Sequence, residues 1–118
     1  MAWIESHQGL SRHRKTLRAA SLLGCDRHKL IGHLHELWWW GLDNVPSDGS
    51  LVNVTASEIA VGADWDGDPD HFVEALIAAG FIDADGPQLH DWGDYAGRLQ
   101  ERRAADRQRK RNGRPADT

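Results

Sequence analysis

The sequence has one cysteine, Cys25, and not a single lysine or arginine between residues 41 and 97. One cysteine excludes an intrachain disulfide and any multi-cysteine zinc site, so a reducing compartment is expected, with Cys25 serving as a small apolar residue beside Gly24. No apolar run approaches the ~20 residues that span a bilayer. The opening MAWIESHQ lacks the basic-then-apolar plan of a signal peptide. These absences predict a cytoplasmic protein with no membrane partner. A nucleophile with an orienting base, a glycine-rich phosphate loop and a Walker-type lysine are also missing, so neither an enzyme nor a bound cofactor is expected.

What is present is unevenly charged. Residues 1–40 hold six Lys/Arg against three Asp/Glu, for +3; residues 41–97 hold twelve acids and no base, for −12; residues 98–118 hold eight bases and three acids, for +5. Two basic ends flank an acidic middle, an asymmetry that bears on partners rather than on fold. With 118 residues the chain is long enough to fold around one core without staples.

The strongest periodic signal is Asp26 to Asn44. At about 100° per residue, Leu30, Leu34, Leu37, Trp38 and Gly41 form one stripe, with Ile31 and Leu42 at its edge, while Trp39 and Trp40 diverge to either side. At least one of these two large aromatics leaves the core face, which makes Trp39 and Trp40 candidates for a protein interface. Asp26 suits the N-cap, and the Pro46–Gly49 cluster ends the helix.

Around this helix the other elements follow in order. Ala2 to Ser6 has the composition of a short strand. Ser11 to Gly24 reads as a first helix, opening on Arg12, His13, Arg14 and Lys15, with Arg18 after them, although cations oppose the dipole at that end. Ser50 to Val54 reads as a strand. Thr55 to Glu58 has capping-box form and begins a helix reaching about Asp64. Asp68-Pro69 caps and starts another, stopped by Gly80. Phe81 to Ala84, a tight Asp85–Pro87 turn and Gln88 to Trp92 complete a hairpin. Beyond Tyr95, Leu99 is the one large apolar residue, so residues 96–118 are expected as a basic helical or disordered tail following a domain over residues 1–95.

The expected fold class is therefore mainly α with a small β-hairpin (α+β). Its connectivity is that of a winged helix-turn-helix with an extra N-terminal helix and a basic C-terminal helix or tail. Asp48-Gly49-Ser50-Leu51, the Ile59-Ala60 helix, Leu76 with Gly80-Phe81-Ile82, and Leu89-His90-Asp91-Trp92 with Tyr95 carry a resemblance. Together they look like the N-terminal winged-helix domain of phage and prophage replisome organisers, a group related to DnaD-type replication initiators. That resemblance implies DNA binding at a phage origin, recruitment of replication proteins such as a helicase loader, and self-association through the winged domain. Members of the group usually continue into a further C-terminal module.

A recognition helix should offer Arg, Lys, Asn or Gln to bases and cations to phosphate. The helix in that position offers Asp70, His71 and Glu74, and the hairpin adds Asp83, Asp85 and Asp91. DNA contacts are therefore expected at the ends of the chain: Arg12, Arg14, Lys15 and Arg18 in the first helix, and Arg98, Arg102, Arg103, Arg107, Arg109, Lys110 and Arg111 in the tail. An alternative in the same fold is a protein-interaction scaffold that self-associates or holds a basic partner on the acidic face. A transcriptional regulator is a third reading, since fold alone does not fix function.

Metal chemistry fits poorly. The Asp64–Asp70 run resembles a calcium loop, but counting from Asp64 the required glycine is Pro69 and the bidentate glutamate is Ala75. His33 and His35 diverge on their helix, and His35-Glu36 lacks the second histidine of a zincin motif. His90 and Asp91, as strand neighbours, are expected to point to opposite sides.

Overall fold

A computed structural model describes residues 3–92 and 108–111 of the chain. The described architecture is mainly helical with one small antiparallel sheet: α1 (Arg14–Leu23), α2 (Arg27–Asn44), α3 (Ala56–Gly62), α4 (Pro69–Ala79), β1 (Ile82–Asp83) and β2 (Gln88–Leu89). Ile82 pairs with Leu89 and Asp83 with Gln88. Among the described residues, no helix is long and apolar enough to cross a membrane.

The central support is α2. Asp26 accepts from the Lys29 amide at 2.9 Å to start it, and Leu30, Leu34, Leu37, Trp38, Gly41 and Leu42 are buried along one side, the stripe that the sequence period predicts. α1 and α3 both pack on α2, and α4 packs on α1 and α3. Phe72 and Leu76 from α4, Ile59 from α3, Ala19 and Ala20 from α1, and Ile82, Leu89 and Trp92 from the hairpin region close one continuous core. Cys25 is half-buried against that core, and burial pushes its thiol pKa up.

Trp92 explains two glycines. A Cβ on Gly41 would stand 2.9 Å from the Trp92 ring, and one on Gly49 would stand 2.7 Å from Trp92 Cβ. Gly49 also has φ of 78°, a conformation that side chains with a Cβ resist. The end of α2 and the turn after it approach the indole as closely as they do because neither position carries a side chain.

Several expected boundaries move. Residues 3–7 form no strand. The first helix is split: Gln8–Arg12 is a short 3-10 helix, and His13, extended at ψ 143°, separates it from α1. Two side-chain bonds enforce the break, since His13 Nδ1 accepts from the Lys15 amide at 3.1 Å and Thr16 Oγ1 donates to the Leu10 carbonyl at 2.6 Å. Arg12 therefore lies outside α1.

The expected Ser50–Val54 strand shrinks to Ser50, which pairs with Gln88. Leu51 N–H donates to the Pro87 carbonyl and Leu89 N–H to the Gly49 carbonyl, at 2.7 and 2.9 Å. The chain then turns at Val52 and Asn53, because Thr55 must be delivered to the start of α3. The hairpin strands are likewise shorter than expected. Residues 84–87 form the turn, and Asp91 adopts a left-handed φ of 52° that ends the return strand. The domain boundary near Tyr95 lies outside the described residues. Of the basic tail, residues 108–111 are described and are helical.

The caps carry a pH dependence. The Thr55 amide and hydroxyl hold the exposed Glu58 carboxyl below its ordinary pKa, and the Lys29 amide does the same for the exposed Asp26. A carboxylate depressed in the folded state contributes stability above its unfolded pKa and loses it as pH falls through the folded one. Stability should therefore decline below about pH 4.5. Glu58→Gln with Asp26→Asn should flatten that acid limb in circular-dichroism melts, whereas an unchanged limb would assign it to other groups.

Candidate nucleic-acid interface

The 3-10 break positions the basic residues. With His13 as N-cap, Arg14 and Lys15 fall in the first turn of α1 and Arg18 in the second, while Thr16, Ala19 and Ala20 face inward. The inward face is built of small residues, with the one hydroxyl, Thr16, bonded to the Leu10 carbonyl, so the long cations are left on the outer side. The first turn contains no acid. Among the described residues, no carboxylate lies within the 4.0 Å ion-pair limit of Arg12, Arg14, Lys15 or Arg18.

His13, Arg14, Lys15, Arg18 and Ala79 line a cavity of about 470 Å³ where α1 meets the end of α4. Lys15 has a structural share in this arrangement. Its ammonium stands 5.4 Å from the Phe81 ring centre, and its Cε is 2.9 Å from where a Gly80 Cβ would be. Gly80, left-handed at φ 93°, ends α4, so Lys15 also meets the negative pole of that helix. Arg14 and Arg18 are exposed and hold the solvent-facing charge of the site.

α4 itself does not present a basic face. Asp70, His71 and Glu74 are exposed on it, and His71 Nε2 donates to the Leu22 carbonyl at 3.0 Å, tying α4 to the end of α1. At the hairpin, His90 is held between two carboxylates, with Nδ1 2.8 Å from Asp83 and Nε2 3.3 Å from Asp91. This corrects the expectation that His90 and Asp91 diverge: the left-handed Asp91 backbone breaks the strand alternation and brings the side chains together. Asp85 is exposed at the turn.

Other polar groups of the fold serve packing. His33 Nδ1 donates to the Ala63 carbonyl at 2.8 Å, and its ring meets Trp65 edge-on at 5.0 Å. Trp65 stacks on Phe72 at 5.0 Å, and Lys29 covers it at 5.4 Å. Asp68, within the calcium-like run, caps α4 by accepting from the His71 amide at 2.9 Å. Among the described residues, no group of three or more His, Cys, Asp or Glu side chains is placed to hold a metal ion.

The two interface candidates separate. Trp40 is half-buried against α3, close enough that a Cβ on Gly62 would meet its indole at 2.6 Å. Trp39 is 47% exposed, with His35 edge-on at 5.8 Å. In the tail, Arg109, Lys110 and Arg111 are exposed on a helical turn, whereas Arg98, Arg102, Arg103 and Arg107 lie outside the described residues.

The α1 cations are legible in the sequence and the cavity is not, because Ala79 and the bases are more than sixty residues apart and only the packing of α1 on α4 joins them. No family model matches this chain, and neither a curated protein nor a solved structure matches it.

Proposed function

We propose that this chain is a non-enzymatic DNA-binding domain of the phage replisome-organiser type, a winged helix-turn-helix whose DNA contacts come from α1 and the basic tail rather than from α4. The observation that carries the reading is the gathering of His13, Arg14, Lys15 and Arg18 around one cavity with no described carboxylate in ion-pair reach. Unpaired cations at a concave surface attract phosphate over a Debye length and release counterions when it arrives. Supporting the winged-helix part are the order α2, Ser50 bridge, α3, α4, hairpin, and the pairing of Ser50 beside β2. In this arrangement α3 and α4 are the helix pair and the hairpin is a short wing.

Anisotropy of a labelled duplex at low salt tests the assignment. Arg14→Ala with Arg18→Ala should weaken binding, whereas Asp70→Asn with Glu74→Gln should leave it intact or tighten it. Loss of binding in the α4 variant alone would reverse the assignment of faces.

A second reading, self-association, is favoured by Trp39, exposed beside His35. If it holds, the chain sediments as a dimer or larger species at high concentration and Trp39→Ala shifts it to monomer; monomers throughout would remove it.

A further inference from the structure

A second cavity adjoins the basic one. It has a volume of about 240 Å³ and is lined by His7, Gly9, Leu10, His13, Lys15, Phe81 and Asp91, so His13 and Lys15 belong to both. The two differ in chemistry. The first offers three cations and no acid; the second offers Leu10 and Phe81 as apolar lining, the imidazoles of His7 and His13, and one carboxylate, Asp91.

We propose that the paired cavities hold one unpaired nucleotide of a nucleic-acid strand, with its phosphate at Arg14, Lys15 and Arg18 and its base against Leu10, Phe81 and the imidazoles. The inference rests on the DNA-binding reading and deepens it from phosphate attraction to a preference for single strands. Asp91 decides which cavity takes which half of the ligand. A carboxylate repels phosphate and accepts hydrogen bonds from the amino groups of cytosine, adenine or guanine. His13 adds direction, because its Nδ1 already accepts from the Lys15 amide, leaving Nε2 as the donor. Asp91 is also one of two non-glycine residues at positive φ among those described, a conformation that costs energy unless the surroundings hold it. In a duplex the bases are stacked and paired and cannot reach the second cavity. An unpaired strand presents phosphate and base together, as single-strand sites require.

The test compares a labelled single strand of about 12 nucleotides with a duplex of the same length at about 50 mM salt, where phosphate contacts are strongest. The intact chain should bind the single strand about tenfold more tightly, within the range of one stacked base. Gly9 lines the second cavity, and a Cβ there meets nothing within 4 Å, so Gly9→Leu is compatible with the fold and adds bulk at the base site without changing charge. It should remove the single-strand preference and leave duplex binding unchanged, while Arg14→Ala with Arg18→Ala weakens both. If the duplex binds as well as the single strand, or Gly9→Leu leaves the preference intact, the nucleotide site is wrong and the DNA reading stands. If neither nucleic acid binds, both fail.

Discussion

Trp92→Ala is expected to destabilise the fold by about 3–5 kcal/mol, the range for truncating a buried aromatic, which is a large part of the ~5–15 kcal/mol that holds a domain together. Trp92 is 2% exposed and occupies the space left by Gly41 and Gly49, so its removal opens a cavity that joins α2, the following turn and the hairpin region. The turn and the hairpin cannot close on that cavity without disturbing the Gly49–Leu89 and Leu51–Pro87 backbone bonds that join them. Urea unfolding would measure the loss. Trp92→Phe should cost much less than alanine, because the indole N–H is buried without an acceptor among the described residues and its deletion removes an unsatisfied donor as well as volume. A cost for Trp92→Ala no larger than that of an ordinary surface substitution, within about 0.5 kcal/mol, would show that the indole contacts are not what holds these segments together.

The second large effect concerns the α1 cations. If Arg14 and Arg18 each neutralise one phosphate, their joint replacement by alanine removes two contacts, and at about 0.1 M salt counterion release predicts a loss in affinity of about 60-fold. The effect should come without loss of fold. Both side chains are exposed and have no described ion-pair partner, and Arg14, in the first turn, opposes the α1 dipole, so the double replacement is neutral or mildly stabilising. A loss in affinity accompanied by unfolding would point to a packing role instead.

Much of the fold was legible because local chemistry and global packing agree. The α2 stripe, the Thr55–Glu58 capping box, the Asp68-Pro69 start and the Gly80 stop all appear where their residue types predict. The misplaced boundaries arise where a local cap or turn interrupts the periodic pattern. His13 breaks an otherwise continuous helical pattern because its ring caps α1 and Thr16 bonds back to Leu10. Asp91 ends a strand by adopting a left-handed backbone beside Trp92. Trp40 looks surplus on a helical wheel, yet α3 reaches it through Gly62. The basic half of the candidate site could be named from sequence; the cavities could not, since they form where residues 7–18 meet Ala79, Phe81 and Asp91, which lie more than sixty residues further along the chain.

The central claim, that α1 rather than α4 meets phosphate, is tested most directly by the slope of log affinity against log salt for the intact chain and the Arg14→Ala, Arg18→Ala variant. The account predicts a variant slope shallower by about 1.8, two phosphate contacts at roughly 0.9 each. An unchanged slope, or an intact chain that does not bind DNA even at low salt, would contradict it.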